Sequence, residues 1–176
     1  MTEYLQRMAR YNRWVNRRLF AKVSELPDDA ITKDRDAYFA SILGTLNHIM
    51  VGDVFWLHRF AAHASHRHSL KELHQFRAPA SLRDILYDDF SKLTSARERL
   101  DTLILHFSKT WTPELLAQPI QYRNTAKEKE ARTLESLLQH FFNHQTHHRG
   151  QTTHMLFDAG IDPGVTDLLV MMEESR

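Results

Sequence analysis

Residues 134 to 160 read LESLLQHFFNHQTHHRGQTTHMLFDAG, and no other stretch constrains the architecture as tightly. Leu134, Leu137, Leu138, Phe141, Met155 and Leu156 recur at the three- and four-residue spacing of one helix face. The run starts near Thr133 and ends at Gly160, and Pro163 beyond it prevents continuation. The spacing therefore predicts one long helix from about Thr133 to Gly160, apolar on one stripe and requiring partners.

Three more long helices precede it in the sequence. The first runs from about Glu3 to Leu26 with the stripe Leu5, Met8, Val15, Leu19, Val23 and Leu26, Asn12 and Asn16 lying within it, and stops at Pro27-Asp28-Asp29. The second runs from about Tyr38 into the His63 region, and its middle, Ile42 to Leu57, is apolar on nearly every side, as in a buried helix. The third is expected from Ser81, read as a capping box with Asp84, to about Phe107. A short final helix is expected over Thr166 to Glu174, and Ile120-Gln121-Tyr122 has the makings of a short strand. Residues 64 to 80 form a long connection between the second and third helices. The expectation is an all-α protein: one domain over residues 1–176, built as a four-helix bundle with a long connection between helices 2 and 3 and a short C-terminal helix.

Composition bounds the chemistry. In 176 residues, 23 Lys and Arg face 22 Asp and Glu, leaving a net charge of +1. No broad positive field is available to gather phosphates, so nucleic acid is not an expected partner. Cysteine is absent, which excludes disulfides, thiolate nucleophiles and Cys-type zinc sites. No apolar run approaches the roughly 18 residues of a membrane span, and the charged N-terminal stretch MTEYLQRMARYNRW does not read as a signal peptide. A cytoplasmic, membrane-free protein is the expectation.

Twelve histidines stand out. Four of them, at 140, 144, 147 and 148, fall within nine positions of the long fourth helix, and His154 follows in the same helix. At roughly 100° per residue His144 and His148 lie inside or at the edge of its inward stripe, whereas His140, His147 and His154 turn away. Two imidazoles left unpaired in an apolar interior would cost on the order of 1–3 kcal/mol each, so they need neighbouring hydrogen-bond acceptors or a shared metal. His48, on the most buried segment, TLNHIMVGDVFWL, is the candidate third ligand. The histidines from His58 to His74 read as a solvated surface cluster.

Three neutral imidazoles leave a metal at least one open position, as in catalytic rather than closed sites. Nitrogen ligation suits one divalent ion per chain, zinc foremost, with nickel, iron, copper or manganese as alternatives. His144-Gln145-Thr146-His147-His148 has the spacing of HExxH, but Gln145 stands where the general base would be, which argues against metalloprotease chemistry.

Asp53 continues an apolar stripe where a charge needs a partner, expected as a histidine ring nitrogen or Arg149; the alternative is a carboxylate at a wet dimer seam. Arg149 and Gln151 follow His148 and read either as residues that orient it or bind substrate, or as helix-surface side chains. Asn12 and Asn16 read as inter-helix hydrogen-bonding groups.

YNRWVNRRL (11–19), GTLNHIMVGDVFWL (44–57) and NHQTHHRGQ (143–151) occur in an order and spacing that resemble the DinB/YfiT-like superfamily of bundle metalloproteins, over almost the whole chain. The resemblance implies metal ligands at His48, His144 and His148 and a homodimer. It also implies, from some characterised relatives, a metal-dependent transferase acting on a low-molecular-weight thiol and a small electrophile, in a stress or detoxification role. A metal-dependent hydrolase and a non-catalytic, metal-stabilised stress or dimerisation module remain alternatives.

Overall fold

The structure, a computed structural model, describes residues 1–124 and 126–174. These residues are mostly helical. Helix α1 (Thr2–Val23) is followed by the short α2 (Asp28–Thr32), α3 (Ile42–Ala61), the four-residue α4 (Ala64–Arg67), a 3-10 turn at Lys71–Gln75, α5 (Phe90–Ser108) and the short α6 (Pro113–Leu116). Strands β1 (Pro119–Arg123) and β2 (Lys129–Thr133) form an antiparallel hairpin that leads into α7 (Leu134–Asp158), and α8 (Leu168–Glu174) closes the described chain. No described helix is long and apolar enough to cross a membrane.

Caps set the helix starts. Ser41 accepts a hydrogen bond from the Gly44 amide at 3.0 Å, Asp89 from the Lys92 amide at 2.7 Å, and Thr133 from the Ser136 amide at 3.3 Å, each satisfying a free donor of the first turn. Gly160, at φ 81°, takes the left-handed conformation just past α7 that glycine adopts without penalty.

Packing follows the apolar faces. Helix α3 lies against α7, α1 lies against α5 and α7, and α3 also touches α5. Leu5, Val15 and Leu19 of α1, Leu46 and Leu57 of α3, Leu93 and Leu100 of α5, and Leu137 and Phe141 of α7 are almost wholly removed from water. Every residue from Ile42 to Val54 is buried, as the continuous apolar run of that segment predicted.

Three boundaries depart from expectation. Helix α3 opens at Ile42, where Ser41 caps it, rather than at Tyr38. Helix α1 ends at Val23, short of Pro27-Asp28-Asp29, and that stretch instead opens α2, because acids in the first turn suit a helix start. Ser81 and Asp84 do not cap a helix. Asp84 instead accepts from the Ala80 amide at 2.9 Å and pairs with both terminal nitrogens of Arg77, fixing a surface turn, and the helix begins only at Phe90.

The histidines between 58 and 74 also divide. His74 is exposed, as expected, but His66 is fully buried, 5.5 Å ring to ring from both Phe107 and His63. The long connection folds back onto the helices and takes His66 with it.

Candidate metal centre

The packing of α3 on α7 brings three imidazoles together. His48 and His148 are buried and His144 half-buried, and one ring nitrogen from each lies within 4.8 Å of the others. His48 Nε2 and His144 Nε2 are 3.2 Å apart. Two Zn–N bonds of about 2.0–2.1 Å at a near-tetrahedral angle place their nitrogens roughly 3.3 Å apart, so this spacing suits a shared ion.

Close approach depends on Gly52, one turn beyond His48 on α3. A Cβ there would sit 2.7 Å from His144 Cε1 and 3.1 Å from its Nδ1. The missing side chain makes room for the ring.

Two of the three rings have a fixed tautomer. His48 Nδ1–H donates to the Leu82 carbonyl at 2.9 Å, and His148 Nδ1–H donates to Gln151 Oε1 at 2.7 Å. Each bond turns the Nε2 lone pair of its ring toward the common point, the usual second layer of support for a histidine ligand. Phe39 stacks on His48 with centroids 3.8 Å apart and meets His148 edge-on at 5.6 Å. A cavity of about 190 Å³, bounded by Phe39, Gly44, Leu82 and Ile85, borders His48.

Burial keeps all three rings neutral. It lowers His48 and His148 below the ordinary imidazole value and, with the other histidines adding repulsion, takes His144 down to about 3. Neutral rings with defined lone pairs are what a metal requires. The donor set thus fits a divalent ion, and these three residues could hold one.

A buried polar network stands behind the histidines and ties four helices together. Asp53 on α3 accepts from Gln145 of α7 at 2.6 Å and pairs with Arg97 of α5 at 2.5 Å. Arg97 also pairs with Asp101 at 2.8 Å. Asp101 accepts from Asn12 at 2.9 Å and from Asn16 at 3.1 Å, both on α1, and Asn12 in turn accepts from Arg149 at 2.6 Å. Arg149 also donates to Thr146 at 3.1 Å. Two carboxylates and two guanidiniums balance. Burial pushes Asp53 upward against the pull of Arg97, raises Asp101 to about 6, and lowers Arg149 to about 10.

The predicted residues therefore sort by contact. His48, His144 and His148 converge. Gln151 holds one of them. Asn12 and Asn16 make the inter-helix bonds expected. Asp53 is paired, but with Arg97 and Gln145 rather than with a histidine or Arg149. Arg149 is buried and touches none of the three rings through a hydrogen bond; its guanidinium completes the network instead, because α7 turns that position toward α1. Sequence reasoning missed Arg97, Asp101 and Gln145 as network members. The signal was present in Arg97 and Asp101, a charge pair four apart on the apolar stripe of Leu93, Leu100 and Ile104. Leu82 and Phe39 had no such signal, since one acts through its main chain and the other through a loop conformation.

Fold and site together define a mostly helical protein with a three-histidine cluster able to hold a metal ion. The chain belongs to the DinB family, whose description matches residues 1–176. It is similar to "Protein DinB" of Bacillus subtilis (strain 168), 28% identical over 174 residues that cover 95% of this chain and 92% of that protein. No solved structure matches it significantly.

Proposed function

We propose that the chain is one four-helix bundle domain whose residues His48, His144 and His148 ligate a divalent metal, zinc foremost. On this reading it is a metal-dependent transferase acting on a low-molecular-weight thiol and a small electrophile. One observation supports this above the others: the converging donors are three neutral imidazoles with no carboxylate among them. A divalent ion there keeps its full charge, so its open position favours an anionic ligand, and a thiolate is a soft anion suited to zinc.

A bound ion would supply Lewis acidity that ionises a thiol near neutral pH. The protein's own part is orientation. The Leu82 carbonyl and Phe39 fix His48, Gln151 fixes His148, and the Gly52 gap admits His144. The cavity beside His48, about 190 Å³, is smaller than the roughly 300–1,000 Å³ of drug-sized ligand sites, so it has room for only part of a substrate. In the transfer the thiol proton passes to solvent, the sulfur bonds to the electrophilic carbon, and the leaving group departs with its electron pair.

A hydrolase is less well supported. Gln145, at the position of a general base, is committed to Asp53 inside the network.

The test is elemental analysis of the native-source protein followed by a thiol-conjugation screen with and without chelator. Stoichiometric metal and chelator-sensitive conjugation are expected. Metal-free native protein, or conjugation indifferent to chelator, would reject the proposal.

A further inference from the structure

The α1 sequence is lopsided in charge: six Lys and Arg against a single Glu, in a chain whose net charge is only +1. Local partners account for part of the excess. Arg7 pairs with Glu3, Arg18 with Glu174 and Lys22 with Glu25, while Arg17 lies beside Glu98 and Asp101 at a separate cavity. Arg10 and Arg13 are exposed and have neither an ion pair nor a side-chain hydrogen bond among the described residues.

Both arginines line a groove of about 540 Å³ between α1 and the end of α5. From the α5 side the groove receives Lys109 and His106, and no carboxylate lines it. The last turn of a helix favours cations, which accounts for His106 and Lys109 without any ligand. It does not account for Arg10 and Arg13, three apart in the middle of α1, where like charges on one face repel. Gln6, which donates to the Ser108 carbonyl at 3.1 Å, bridges the two helices at the groove.

We propose that this groove is a second ligand site, separate from the histidine centre, for a small molecule bearing a diphosphate or two neighbouring phosphates. Three permanent cations match the roughly three negative charges of a diphosphate at neutral pH. Two guanidinium forks offer the paired donors that phosphate oxygens accept, which a single carboxylate would use only in part. The volume lies within the range of small-molecule sites. The groove is formed by α1 and α5, whereas the histidines stand on α3 and α7, so the two sites can be separated by mutation.

Inorganic pyrophosphate is the probe, titrated calorimetrically into the metal-loaded protein at low salt. Saturable binding is expected. The double variant Arg10→Gln/Arg13→Gln should weaken it about tenfold or more, with metal content and melting temperature unchanged, while Arg7→Gln should leave it within about twofold. Binding should persist in His144→Ala. Several outcomes would overturn the proposal: no saturable heat with pyrophosphate, equal affinity in the double variant, or loss of binding in His144→Ala, which would place pyrophosphate at the metal centre. Binding of a duplex oligonucleotide in the absence of pyrophosphate binding would also overturn it, since the groove would then read a polymer.

Discussion

Gln145 Nε2 donates to Asp53 Oδ1 at 2.6 Å, and neither side chain is exposed to solvent at all. Each residue adjoins the histidine centre in sequence: Asp53 follows Gly52, and Gln145 follows His144. The bond therefore sets the register of α3 against α7 one step behind the converging rings.

Breaking that register bond from either side should destabilise unequally. Asp53→Ala takes one of the two carboxylates from the Arg97 guanidinium and leaves the buried network with an excess positive charge, which is expected to cost about 3–5 kcal/mol. Gln145→Ala removes a neutral donor and should cost about 1–3 kcal/mol. Urea unfolding followed by circular dichroism measures both, and an unchanged midpoint in Asp53→Ala would refute the pairing.

Loss of any converging ring should empty the site. His48→Ala and His144→Ala are expected to fall from about one metal per chain to a small residue, with helical content mostly retained. Plasma emission spectrometry on the purified variants, beside far-ultraviolet circular dichroism, gives both quantities. Full stoichiometry in both would contradict the assignment of ligands.

Gly52→Ala separates stability from binding. Alanine exceeds glycine in helix propensity by about 1 kcal/mol, so the helix itself gains. The added methyl nevertheless meets His144 at 2.7 Å and pushes the ring aside. Metal affinity, read by competition with a chromophoric chelator, should drop about tenfold or more while thermal stability of the metal-free protein holds or rises. Wild-type affinity in this variant would show that the ring has other room.

Acid should loosen the connection around His66. Burial, with His63 adding repulsion, lowers this imidazole to about 4, against 6.5 for an ordinary one. The unfolded chain thus takes up the proton first. Stability is complete above pH 6.5 and falls as pH drops toward 4. In metal-free protein, His66→Phe should lose less melting temperature between those limits than wild type does. Parallel curves for the two proteins would assign the acid sensitivity elsewhere.

Much of this was legible beforehand where periodicity reports directly on burial. The stripe on residues 134–160 placed α7 and turned His144 and His148 inward, and the unbroken apolar run placed His48 on the deepest helix. The failures have one physical origin, which is that local capping signals and local polarity are resolved by tertiary contacts. Ser81 and Asp84 carried the pattern of a helix start, yet Arg77 drew the carboxylate into a turn. His66 sat among polar neighbours, yet the connection folded it against Phe107. Asp53 announced the need for a partner without naming Arg97, because the pairing spans 44 residues.

The acceptor that orients His48 is the main-chain oxygen of residue 82, and every amino acid possesses one. Leucine at that position can therefore drift freely across evolution without weakening the contact. An insertion or deletion in the surrounding loop would break it at once. Loop length, rather than residue identity, is the quantity on which selection for this contact would act.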